Sequence, residues 1–346
     1  MIFIFSQSTG KHSIVFQNQV TITEWASVAG KKESEGPLAR YFDKTSKDTR
    51  FGEKTWELAE QRLQEETLNV LLSKAKMTKE SIGAILSGDL LNQCISSAFA
   101  LRNNDVPHLG LYGACSTMSE AMLLGAIIVS GGFRDHVIAM TSSHFASSER
   151  QYRFPLGYGG QRTPTSQWTV TGAGAVLLAQ KGNGPKITAA TIGTVKELGI
   201  TDANNMGCAM APSALETIKT HLNDLNIGPD YYDLIITGDL GHIGKEALLS
   251  MAMAEGISLG GRLLDCGTII YDTTKQDTHA GGSGCGCSAS VLCSYYLNKV
   301  KNGTLKRILF CGTGALLSPT SVQQKLPIAG ICHAVAISGG QSSGVS

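Results

Sequence analysis

A repeat inside the chain limits its fold more than any other feature. The apolar run Ile82–Leu86 ends in Ser87-Gly88-Asp89-Leu90, and the run Leu234–Ile236 ends in Thr237-Gly238-Asp239-Leu240, with the two aspartates 150 positions apart. Gly113-Ala114-Cys115 opens a helix of small and apolar residues, and Gly284-Cys285-Gly286-Cys287 opens another 170 positions later. The buried-strand patterns His136–Met140 and Arg307–Cys311 follow these helices at an offset of 171. Three landmarks recur in one order, with 20 extra residues between the first and second in the later copy. Strands alternating with helices define an α/β class. A duplicated α/β unit makes two similar lobes with a site at their junction. The halves are read as 1–196 and 197–338, with a small polar tail at 339–346.

Composition agrees with two packed lobes. Of 346 residues, 42% are hydrophobic and only 16% charged, which favours a large core over disorder. The formal net charge of +1 supplies no basic field for nucleic acid. Nine cysteines without a recognisable secretory leader read as reduced thiols. Met1–Phe5 is too short for a signal peptide, and the longest apolar run, Ala121–Ser130, is too short to span a bilayer. Any membrane association is therefore expected to be peripheral.

Along the chain, alternation over 11–23 predicts a pair of strands, and 30–52 reads as an exposed charged excursion. Residues 53–76 and 94–103 read as helices, and 170–179 and 186–195 as strands. Residues 146–168 form a long polar, aromatic loop suited to covering a site. It carries Arg150, Arg153 and Arg162 with Tyr152, Phe154, Tyr158 and Trp168. Arginine forks pair with carboxylates and aromatic rings stack on aromatic ligands, although a solvated loop is the plainer role.

Cys115 is the leading candidate for chemistry. At a helix N-terminus the free N–H groups and the dipole favour the thiolate and lower the thiol pKa. A small buried residue packed beside glycine is the plainer role. Asp89 and Asp239 follow strands, where α/β sites gather, but Asp after Gly also caps turns. Ser142, Ser143 and His144 end the next strand, where their polar groups suit an anionic ligand, with capping by serine an equal alternative. His279 with Cys285 and Cys287 matches no common zinc spacing, so no metal site is read there. Gly238–Lys245 misses the phosphate-loop pattern, with five residues between the glycines and Glu246 where Ser or Thr is needed. Gly284-x-Gly286-x-x-Ala289 follows a polar segment instead of a strand, so it is no dinucleotide fingerprint and no cofactor is read.

Several stretches resemble the thiolase-like superfamily. They are GACS at 113–116, TGAGAVLL at 171–178 and the glycine turn at 284–291. More closely, GKHSIVF, GPLARYFD, ILSGDLLNQ, LYGACSTMSEAM, the 149–178 segment and HAGGSGCGCSASV resemble the stage V sporulation AD family of spore-forming bacteria. The first resemblance implies duplicated βαβαβαββ halves in a five-layered αβαβα arrangement and, by analogy, a homodimer. The second implies a role in sporulation and germination. It implies binding of dipicolinic acid, free or as its calcium chelate, and its movement into the spore. It also implies partners from the stage V sporulation A operon and a peripheral place at the inner spore membrane of forming and dormant spores. Condensing enzymes of this superfamily assist cysteine with two histidines, or a histidine and an asparagine. Here His242 lies about four positions late, and Cys285 stands where Asn or His is expected. The reading is a noncatalytic ligand binder with Cys115 as a vestigial nucleophile. Its ligand residues are Cys115, Asp89, Ser142, Ser143, His144 and Cys285. The alternatives are a Cys-dependent acyltransferase or ketoacyl synthase-like condensing enzyme using His242 or His279, and a docking platform for membrane proteins.

Overall fold

The structure, a computed structural model, describes residues 7–152, 156 and 161–340. Arg153, Phe154 and Tyr158 of the long loop and residues 341–346 of the tail lie outside the described residues. The first half carries strands β1 (Ser13–Ala29), β2 (Ala84–Gly88), β3 (His108–Gly110), β4 (His136–Ser143) and β5 (Gly172–Ala179), in the sheet order β3-β2-β4-β5-β1. The second carries β6 (Lys186–Thr191), β7 (Leu234–Thr237), β8 (Leu263–Asp265), β9 (Arg307–Leu316) and β10 (Ala329–Ser338), in the order β8-β7-β9-β10-β6. The two orders are the same, and in each half the fifth strand runs antiparallel to both neighbours. The chain is thus a structural duplication. Its sheet topology divides it between Ala179 and Lys186, upstream of the boundary after residue 196 read from the sequence. Pairing of β1 with β6 joins the sheets of the two halves edge to edge.

Six helices complete the layers: α1 (Trp56–Ala75), α2 (Ile95–Leu101), α3 (Thr117–Ser130), α4 (Met206–Leu225), α5 (Gly241–Ala254) and α6 (Cys285–Val291). Helices α1 and α2 cover the first sheet, and α4 and α5 cover the second. Helix α3 touches strands of both sheets, and α6 lies beside it against β4 and β5. The central helices are built from small residues because the layers are tight. A Cβ at Gly174 of β5 would sit 2.3 Å from the Ala289 carbonyl oxygen, and one at Gly286 would sit 2.2 Å from that of Gly172. Met118, Met122 and Val129 on α3 fill the remaining space between the sheets and are fully buried.

Two local expectations change. Residues 13–23 are no hairpin but part of the single 17-residue strand β1, and Lys11 and His12 lie in the turn before it. No Gly or Pro turns the chain there, and the polar Gln17-Asn18-Gln19 step lies at a register irregularity between Val15 and Val20 in the pairing with β6. The 30–52 excursion also dips inward. Glu33 is 1% exposed, and Leu38 and Phe42 are buried. Burial pushes the Glu33 carboxyl up to about 7 despite hydrogen bonds from the Tyr271 hydroxyl and the Thr171 N–H.

Candidate functional site

A cavity of about 520 Å³ lies between the halves. Tyr112 and Cys115 come to it from the first half, Ser283 and Leu317 from the second, and Arg162 and Gln167 from the long loop. The sequence that builds the cysteine's corner is local. Ala114 takes a left-handed φ of +50°, unusual for a residue with a side chain, and turns the chain sharply before α3. Ser116 Oγ donates to the Gly113 carbonyl at 2.7 Å and Thr117 Oγ1 to the Ala114 carbonyl at 2.7 Å, holding the turn. Cys115 is left at the cavity wall, only 6% exposed.

Its electrostatic state reverses the sequence expectation. Burial pushes the Cys115 thiol well above its ordinary range, and the nearby Asp239 carboxylate adds to the effect. The Gly284 N–H opposes this more weakly. A helix dipole contributes only about 0.3–1 kcal/mol at an exposed end, too little to offset a dry site with an anion in it. Asp239 sits in the turn after β7, fully buried. It accepts from the Gly284 N–H at 2.8 Å and from Thr313 Oγ1 at 2.8 Å. Burial still raises its carboxyl to about 6. Moving the thiol proton to Asp239 therefore runs uphill. A neutral imidazole at this place would leave a compensated ion pair, whereas a carboxylate leaves the sulfur protonated.

The other residues singled out in the sequence occupy distinct places. Asp89 is fully buried and accepts from the Leu91 and Ser97 N–H groups and the Ser97 hydroxyl, at 2.7–2.9 Å, capping the start of α2. Ser142 Oγ donates to Glu60 at 3.0 Å, and Ser143 Oγ donates to the Val170 carbonyl at 2.7 Å. His144 bonds to the Thr49 carbonyl at 2.8 Å and accepts from the Ala146 N–H at 3.2 Å. Cys285 turns its thiol to the Ser142 carbonyl, 2.9 Å away, and burial pushes that thiol well up. None of these five lines the cavity. His242 is exposed on α5, and His279 pairs with Asp277 at 3.2 Å, so neither stands at the Cys115 sulfur. Among the described residues, no three His, Cys, Asp or Glu side chains gather as a metal centre.

Gln167 is the member that sequence reasoning left out, and Asp239, weighed there as a strand-end candidate, was not placed among the ligand residues. The recurrence of the Gly-Asp-Leu turn pointed at Asp239 without showing that it meets Cys115. Gln167 carried no signal beyond its place in the loop. Its Nε2 donates to the Asp239 carbonyl at 2.7 Å and to the Gly282 carbonyl at 2.8 Å. Trp168–Thr169 pairs with Gly282–Ser283 in parallel. The loop thus sutures the glycine turn to the site.

Two duplicated halves with this strand order, closing on a cysteine at the head of a central helix, define a thiolase-like fold. Known structures agree. Cerulenin-bound OleA of Xanthomonas campestris superposes with a TM-score of 0.61 at 15% identity, covering 94% of this chain and 97% of that one. Acetamide-bound OleA of the same organism gives 0.57 at 16%, covering 94% and 99%. The sequence profile described as Stage V sporulation protein AD (SpoVAD) matches residues 10–338. The Stage V sporulation protein AD of Bacillus subtilis (strain 168) is 45% identical over 327 residues, 94% of this chain and 96% of that protein. The chain belongs to the stage V sporulation protein AD family.

Proposed function

We propose that this sporulation protein binds dipicolinic acid, free or as its calcium chelate, in the cavity at Cys115 and supports its uptake into the developing spore without acyl transfer. The observation that carries this reading is the thiol–carboxylate pair. Cys115 stands where the superfamily keeps a nucleophile, but Asp239 and a dry environment hold it as a thiol. The space in front of it remains, at about 520 Å³, within the range of small-molecule sites. Two tyrosine rings, Tyr112 and Tyr152, and the Arg162 guanidinium line it, which suits an aromatic dicarboxylate. Calorimetry with dipicolinate and its calcium chelate, beside intact mass after incubation with acyl-CoA donors, tests the reading. Saturable binding with no mass gain supports it. An adduct lost in Cys115→Ala would favour the condensing enzyme instead.

The reading extends to partners. No helix among the described residues is long and apolar enough to cross a membrane. Peripheral attachment at the inner spore membrane, through other proteins of the stage V sporulation A operon, is the arrangement proposed. A homodimer through the first half is proposed as well. Strand β3 ends the first sheet with Leu109 51% exposed, and α2, which contacts it, exposes Phe99 and Ile95, whereas the register counterpart of Leu109, Leu264 in β8, is half-buried. An uncovered apolar edge in one copy of a duplicated fold invites a partner strand.

A further inference from the structure

The later copy of the duplicated unit carries a segment that the first lacks, and a buried carboxyl holds it in place. Gly113 follows the end of β3 at Gly110 by three positions, whereas Gly284 follows the end of β8 at Asp265 by nineteen. The extra residues of the second half reach back to the first. Tyr271, itself buried, donates its hydroxyl to Glu33 Oε1, and Gln276 Nε2 donates to the Lys32 carbonyl at 2.7 Å. At its far end the same segment builds the cavity wall. The Trp168 N–H donates to the Gly281 carbonyl and the Val170 N–H to the Ser283 carbonyl, both at 2.8 Å, and Ser283 lines the cavity.

Glu33 is placed to be stable there only with its proton. Both donors, the Tyr271 hydroxyl and the Thr171 N–H at 3.0 Å, go to Oε1. Oε2 is buried without a hydrogen-bond partner, and a Cβ at Gly30 would sit 2.9 Å from it. A neutral acid tolerates such a place, while a carboxylate leaves part of its charge on an oxygen with no donor. The groups around the seam supply little counter-charge. Lys32, on the same segment as Glu33, holds its Nζ 4.0 Å from the centre of the Trp168 ring, and its charge is the weakest of the influences on the carboxyl, where burial dominates. Arg162 and the Cys287 thiol act on Tyr271. Lys275 pairs with Asp272 at 3.1 Å and His279 with Asp277 at 3.2 Å, while Asp265 at the head of the segment bonds to the Thr237 hydroxyl and the Leu240 N–H, both at 2.8 Å.

We infer that Glu33 is a proton-operated latch: as the neutral acid it clamps residues 268–281 onto the first half, and on losing its proton to solvent it frees that segment and with it the Ser283 wall of the cavity. Control of ligand access by the latch rests on the dicarboxylate reading of the cavity, whereas the latch itself does not. The carboxyl has its ordinary value of 4.5 when the segment is open and about 7 when it is clamped. Below about pH 4.5 both states are neutral, and the proton does not favour opening. Between about pH 4.5 and 7 the open state ionises first, so its population grows about tenfold per pH unit, about 300-fold in all, and levels above about pH 7.

Hydrogen exchange of the full chain without ligand, read by mass spectrometry from about pH 4.5 to 8 and corrected for the intrinsic pH dependence of exchange, tests this against Glu33→Gln, which keeps the shape of the neutral acid. Asp239, Asp265 and His279 are common to both proteins, so the native-to-variant ratio of opening reports Glu33 alone. For peptides covering 30–36 and 268–282 that ratio is expected to rise about tenfold per pH unit to about pH 7 and then level. A ratio that stays flat overturns the inference. An equal rise in β9 also overturns it, because the whole protein would then be opening. If Glu33→Gln fails to fold, Tyr271→Phe decides. The hydroxyl favours the Glu33 anion, so its loss should move the levelling point of the opening profile to higher pH, and an unmoved point overturns the inference. A rising ratio in a protein that gives no heat with dipicolinate in calorimetry would uphold the latch and sink the cavity reading alone.

Discussion

Replacing Asp239 with asparagine removes a buried charge and almost no volume. Its carboxyl moves from 3.8 to about 6 in the folded protein, which corresponds to about 3 kcal/mol. The folded value lies above the unfolded one, so the sign is set. Below about pH 4 the acid is neutral in both states and costs nothing. As pH rises from about 4 to 6 the unfolded chain ionises first and stability falls, and the full penalty persists above 6. Asp239→Asn escapes that loss. Asp265 is itself pushed up to about 7 by burial, with the Asp239 charge contributing, so its relief in the variant acts in the same direction. Urea unfolding at about pH 4 and pH 7 should show the variant gaining about 2 kcal/mol over the native protein between the two. The misplaced Nδ2 facing the Gly284 N–H is a constant offset and cancels in that difference. Parallel stability curves for the two proteins would refute the placement of Asp239 as a buried, uncompensated carboxylate.

Three further outcomes follow from the packing and the site. Gly174→Ala drives a methyl group into the Ala289 carbonyl and should cost about 1–3 kcal/mol or more by shifting α6, read as a lowered Tm. Site-resolved alkylation with iodoacetamide should find Cys115 slow at neutral pH, with a rate still climbing at high pH, and faster in Asp239→Asn. A plateau near neutral pH in the native protein would mean that a thiolate is present. Leu109→Asp should convert a dimer to a monomer in light scattering if β3 is the joining edge, whereas a native monomer would remove the dimer from the account.

The duplication was legible because hydrophobic strand patterns and their exit turns recur in local sequence. Ser87–Leu90 and Thr237–Leu240 hold equivalent places at the ends of β2 and β7. The corner at Cys115 was legible for the same reason, since Gly113, Ala114 and the small helix are neighbours in the chain. What the thiol meets was not. Asp239 lies 124 positions away, and only the way the halves face each other brings it to the sulfur. A helix N-terminus predicts a lowered thiol pKa when nothing else is near, and here an anion and burial outweigh it. Asp89, Ser142, Ser143 and His144 looked like ligand groups because polar residues at strand ends often are. In the fold Asp89, Ser142 and His144 bond within their own half, and Ser143 joins the Val170 carbonyl to the Gly286 N–H of the other half. Glu33 was hidden by its charged surroundings in the chain, because Tyr271 and Thr171, which receive it, come from distant segments.

The most direct measurement is a crystal of the protein soaked with dipicolinate. The account predicts a noncovalent ligand in the cavity beside Arg162, with its ring near Tyr112 and the Cys115 sulfur unmodified. Density on a remote surface while the inter-half chamber stays solvent-filled would contradict it.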